Sequence, residues 1–80
     1  MSLYFFHLRN GEDVLLDEDG RDLTCAREWE GAALEEARAI ISHDAREGRI
    51  DLSYRIDVQD ASGSVVHTLR FADAVAIASG

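Results

Sequence analysis

An α+β domain is the fold class the sequence predicts: a four-stranded antiparallel sheet in ββαββ order, with one long amphipathic helix on one face and a short C-terminal helix. Three observations carry it. Between Thr24 and Gly48, the residues Trp29, Ala33, Ala37, Ile40 and Ile41 recur at helical spacing. From Leu52 to Gln59 apolar and polar residues alternate with the period of a half-buried strand. Turn-forming clusters at Asn10-Gly11 and Asp60-Ala61-Ser62-Gly63 set hairpins on either side of the helix.

The first strand is Leu3-Tyr4-Phe5-Phe6-His7-Leu8-Arg9, rich in aromatic and branched residues. Both of its alternating faces are apolar: Tyr4, Phe6 and Leu8 on one, Leu3 and Phe5 on the other, with His7 and Arg9 continuing the second. A single helix covers one face only, so the second face calls for another cover. The C-terminal segment or a second subunit can supply it.

Val14-Leu15-Leu16 returns as a short strand, and Asp17-Glu18-Asp19-Gly20 turns the chain, with Gly20 able to take positive φ. Arg21-Asp22-Leu23 leads into the helix. Thr24 is the expected N-cap, with Asp22 as the alternative. Glu28 and Glu30 early and Arg46 late suit the helix dipole, and Gly48 sits where a left-handed C-cap residue belongs. Gly31, inside the helix, costs about 1 kcal/mol against alanine unless a neighbouring backbone approaches it closely.

After the helix, Leu52, Tyr54, Ile56 and Val58 point inward while Arg55, Asp57 and Gln59 point outward. The returning strand spans Ser64 to Phe71, with Val65, His67, Leu69 and Phe71 on one side and Val66, Thr68 and Arg70 on the other. The alanine-rich tail, residues 72–78, reads as a short helix capped near Ala72 or Asp73. No proline interrupts any strand, so every strand is able to pair on both edges.

Composition limits what the domain does. Eighty residues make one small domain, and one this short buries about two-thirds or less of its unfolded surface. The single cysteine, Cys25, closes no internal disulfide. Association with a second copy is one way such domains gain stability. Charged residues follow the first apolar run at once, which gives no signal-peptide pattern. No run approaches the roughly 20 apolar residues of a spanning helix, so the expectation is a soluble cytoplasmic protein. The formal net charge is -8, and all eight cationic residues are arginines. Phosphate backbones and anionic lipids attract basic surfaces, which argues against nucleic acid and membrane as partners.

Individual motifs for chemistry are sparse. The acids Glu12, Asp13, Asp17, Glu18, Asp19 and Asp22 fail the calcium-loop spacing, because Arg21 and Asp22 fall where a ligand and the turn glycine belong. His7 and His67 are the metal candidates, should the first and last strands lie side by side, but no pair has common zinc spacing. Ser42 and His43 point to different sides of a helix and make no dyad. No serine elbow, phosphate loop or dinucleotide glycine pattern is present. The expectation is no enzyme and no cofactor.

The run Tyr4-Phe5-Phe6-His7-Leu8-Arg9-Asn10-Gly11 resembles the opening of a family of short bacterial domains of unknown function, domain-of-unknown-function family 6894. The resemblance continues through Asp17, Glu18 and Gly20, Glu36-Ala37-Arg38, Gly48, Ile56-Asp57-Val58, Gly63 and Phe71-Ala72-Asp73-Ala74-Val75, nearly the whole chain. It departs from the family pattern at Thr24 and Arg70, where proline is frequent, and it implies no activity. A weaker likeness, at Leu34-Glu35-Glu36-Ala37-Arg38, is to HicB-type antitoxins, although the usual Pro-Gly before that helix is missing.

The reading that follows is a non-enzymatic protein-interaction or self-associating module, a homodimer or the binder of an unidentified protein. Its interface candidates are Leu3, Phe5, His7, Val66 and Thr68. The alternatives are a small-ligand or metal-binding regulator built on His7 and His67, and a HicB-like partner-binding domain.

Overall fold

The computed structural model describes residues 2–76. Its elements run β1 (Ser2–Asn10), β2 (Asp13–Leu15), β3 (Arg21–Leu23), α1 (Ala26–Arg46), β4 (Arg55–Asp60), β5 (Val65–Arg70) and α2 (Phe71–Ala74). The class is α+β as expected, but the sheet has five strands rather than four. The added strand is β3, in Arg21-Asp22-Leu23, which the sequence pattern presents as a mere lead-in to the helix. Three residues are too short to display a period, so only their partner reveals them as a strand.

That partner is β1, which organises the sheet. β4 pairs antiparallel along one side of it, and β5 pairs with β4 beyond. The other side is shared: β2 pairs with its C-terminal end through Leu8↔Leu15 to Asn10↔Asp13, and β3 with its N-terminal end through Ser2↔Leu23 to Tyr4↔Arg21. The first turn holds Gly11 and Glu12 between paired Asn10 and Asp13, with positive φ at Gly11 alone. Glycine at the first central position is the type II′ pattern, so Asn10 ends the strand instead of entering the turn.

Trp29, Ala33, Ala37, Ile40 and Ile41 do form the inward stripe of α1. Ala33 and Ala37 are fully buried, and their small side chains let the helix lie close on Ile56 and Val58. The N-cap is Cys25, not Thr24, and Cys25 makes no side-chain cap. Thr24 instead holds Glu28 through its hydroxyl, with its N–H 3.5 Å from Glu28 Oε2, a displaced form of the capping box. The C-terminus is a Schellman motif: Gly48, at φ 87°, donates to Ala45 and Arg49 donates to Asp44. A Cβ added at Gly31 would meet nothing within 4 Å, so no close backbone approach explains the glycine there.

The last strand ends at Arg70, and Phe71 opens α2 rather than closing β5. The Phe71 N–H donates to the Tyr54 carbonyl at 2.9 Å, its ring packs on Tyr54, and Arg38 Nε holds the Ala74 carbonyl at 2.9 Å. Phe71 is wholly buried, an apolar contribution of about 1.5–3 kcal/mol. The tail helix therefore exists, but begins earlier than Ala72 and covers the helix side of the sheet. The part of the expected helix on residues 77 and 78 lies outside the described residues. A register shift between Val58 and Gln59 pairs Val58 with His67 and Gln59 with Val65. This bulge leaves Val66 as the extra residue and moves Val65 off the His67 side, against the simple alternation.

Candidate functional site

The face of the sheet away from α1 is the candidate site. Alternation sends Leu3, Phe5, His7 and Arg9 of β1 to it, and antiparallel pairing adds the residues opposite them on adjacent strands. Four rows result: Leu3 with Asp22; Phe5 with Gln59 and Val65; His7 with Asp57 and Thr68; and Val14, Arg9, Arg55 and Arg70. The α2 turn packs on the opposite side, and no helix among the described residues covers this face.

Two polar side chains are buried here, His7 at 8% and Asp57 at 7% exposure. Asp57 takes the Thr68 hydroxyl at 3.0 Å and Arg55 Nε at 3.3 Å on Oδ1, while Arg9 Nε lies 3.0 Å from Oδ2. The Arg9 N–H is not aimed at that oxygen, so the contact is an ion pair without a hydrogen bond, and Nε is left buried without one. Arg70 Nε pairs with Asp73 at 3.1 Å. Three arginines thus lie side by side on three adjacent strands, with carboxylates at their Nε atoms. Like charges directly opposite are unfavourable unless neutralised, and Asp57 supplies that neutralisation for two of them.

His7 is fixed differently. Its Nδ1 accepts the Asp17 N–H at 3.0 Å, which places the ring proton on Nε2, and its ring stacks with Phe5 at 6.2 Å and 7°. The Asp17 carboxylate closes the gap between β2 and β3 by accepting from Phe6 N–H at 3.1 Å, and from Asp19 and Gly20 at 3.2 and 3.1 Å. Burial pushes this carboxyl up, but the N–H groups of Gly20, Phe6 and Asp19, with His7 nearby, outweigh it and hold it below its ordinary value.

Of the sequence candidates, Leu3, Phe5, His7 and Thr68 do share this face. Leu3 and Phe5 are half-buried, neither bare nor roofed, because Gly20 lies against both side chains. Val66 is the bulge residue, 37% exposed. The metal candidates are separated. β4 stands between β1 and β5, and His67 projects to the helix side, its ring 5.7 Å from that of Trp29, while His7 faces the other way. No group of three or more His, Cys, Asp or Glu side chains suited to a metal occurs among the described residues. Cys25 is exposed at the helix start.

Sequence reasoning missed the arginine row and the role of Asp17. The outward direction of Arg9, Arg55 and Arg70 was legible from alternation, but their alignment required the strand order. On the helix side an open groove of about 380 Å³ runs between α1 and the split edge, lined by Leu8, Leu15, Leu16 and Ile40, with the Arg21–Glu36 ion pair at one wall. Leu15 and Leu16 are 68% and 58% exposed. No helix among the described residues is long and apolar enough to cross a membrane.

Comparison with curated proteins and with solved structures found no match. The sequence profile of one family, described as a domain of unknown function (DUF6894), matches residues 3–72, through β1, the split edge, α1 and both strands of the second hairpin. With nearly every element inside that match, the chain belongs to the DUF6894 family.

Proposed function

We propose that this domain is a non-enzymatic interaction module that binds a protein surface, a second copy of itself in the first instance, through the uncovered face of its sheet. The observation that carries this reading is the one-sided cover: α1 and α2 both pack on the Tyr4, Phe6, Ile56 and Val58 side, leaving Leu3, Phe5 and Val65 partly in water on the other. Half-exposed apolar side chains beside a fixed polar cluster are typical of an interface, with apolar contact supplying affinity and charges supplying register.

Light scattering across a concentration series tests the reading. A dimer that forms in the micromolar range and weakens on Phe5→Ser, with the fold retained by circular dichroism, supports it. A strict monomer at high micromolar concentration overturns it.

A further inference from the structure

Between Leu15, where the ladder of β2 ends, and Arg21, where that of β3 begins, the chain turns a corner along the split edge of the sheet. Apolar packing does not hold it there: Leu15 and Leu16 are 68% and 58% exposed, and Glu18 and Asp19 stand in water. Gly20 rests on β1 at the far end of the corner. Apart from the strand ladders, two hydrogen bonds among the described residues tie the corner to the sheet, and Asp17 makes both. Its carboxylate accepts the Phe6 N–H, and its own N–H is donated to His7 Nδ1.

The two ties are undone by different protons. The first lasts while Asp17 is ionised, and that carboxyl is held below its ordinary value, the effect of burial being outweighed by the N–H groups of Gly20, Phe6 and Asp19. The second needs the lone pair on His7 Nδ1. A proton taken from solvent at that atom turns the acceptor into a donor, so that two N–H groups face each other across 3.0 Å. Histidine ordinarily changes charge between about pH 5 and 8, clear of the carboxyl range, so the two ties are separable by pH.

The charged groups around the ring do not replace the lost bond. Asp17 presents its carboxylate from the corner, but Phe6, Asp19 and Gly20 already occupy it. Asp57 stands opposite on β4, committed to Thr68, Arg55 and Arg9, and Arg9 follows two residues along β1 on the same face. Glu18 and Asp19 are exposed. The backbone N–H of Asp17 is therefore the group left without its acceptor.

We infer that His7 is a proton-operated latch on the outer wall of the groove between α1 and the split edge. With the ring neutral, Leu16 and Asp17 are drawn in against β1 by two ties; with the ring protonated, one tie is left and the wall loosens. Leu15, Leu16, Asp17, Asp19 and Gly20 all line that groove, so a proton bound on one face of the sheet acts on an apolar groove that opens on the other. The latch makes no use of a second copy and stands or falls apart from the interaction reading.

Nuclear magnetic resonance on the full chain, from about pH 8 to about pH 5, tests the inference through the His7 ring-nitrogen shifts and the backbone amides. Protection of the Asp17 amide from hydrogen exchange should fall about tenfold, the worth of one hydrogen bond, over the interval in which His7 takes up its proton. The Leu16 order parameter should fall in step, while the Phe6 amide stays protected. In His7→Asn, whose side-chain oxygen accepts from the same N–H without titrating, Asp17 should stay protected throughout. Should that variant not fold, or its amide not reach Asp17, the parent titration decides. An Asp17 amide or a Leu16 order parameter that does not move while His7 titrates overturns the latch, as does a ring that stays neutral to about pH 5 or a parent-like step in His7→Asn.

Discussion

Asp17 stands in for a missing strand residue opposite Phe6: its Oδ2 accepts the Phe6 N–H at 3.1 Å where the edge passes from β2 to β3. Without it, the central strand would show an unmet donor at the break. Asp17→Ala should therefore cost about 2–3 kcal/mol, the usual loss when a carboxylate leaves backbone donors unsatisfied. Asp17→Asn should fall between parent and alanine, because the amide accepts on one side only. Urea unfolding of the three proteins checks the order.

The same carboxyl makes stability depend on pH. Its folded-state pKa lies below its unfolded one, so its contribution is complete above the unfolded value of about 3.9 and is lost as pH falls through the folded value. The stability gap between parent and Asp17→Asn should be constant near neutrality and narrow below about pH 4. A gap unchanged down to the acid transition would contradict the assignment.

Gly20 and Gly63 both have positive φ, at 73° and 90°, but only Gly20 is crowded. A Cβ there would meet Tyr4 O and Phe5 Cε1 at 3.0 Å and Leu3 Cδ1 at 3.1 Å, whereas at Gly63 it would meet nothing within 4 Å. Gly63→Ala should cost about 1–2 kcal/mol in backbone strain. Gly20→Ala should cost more, and the difference between the two melting curves measures the contact with β1.

Gly31 predicts the opposite sign. It is exposed in the middle of α1, and an added methyl group would touch nothing. Gly31→Ala should stabilise the domain by about 0.5–1 kcal/mol through helix propensity and reduced unfolded-state freedom. Thermal unfolding should show a higher midpoint with no change in association.

Phe71 is the largest fully buried side chain and anchors α2 beneath the end of the sheet. Phe71→Ala should lower stability by about 3–5 kcal/mol, the transfer loss plus the cavity left behind. Denaturant titration measures the loss, and a value under about 1 kcal/mol would mean that α2 does not hold the core shut.

Periodicity and the local ends of the elements are written in the order of the residues. Helical spacing from Trp29 to Ile41 and alternation from Tyr54 to Val58 name the residues that enter the core, because each repeat is a property of one element's own geometry. Gly48 was legible as the helix stop for the same reason, its left-handed φ being needed within a few residues of chain. Tertiary structure alone decided the rest. The three-residue β3, the bulge at Val66, the separation of His7 from His67, and the alignment of Arg9 with Arg55 and Arg70 all depend on which strand pairs with which, and in what register. Hydrogen-bond partners distant in sequence set those choices, so no local pattern records them.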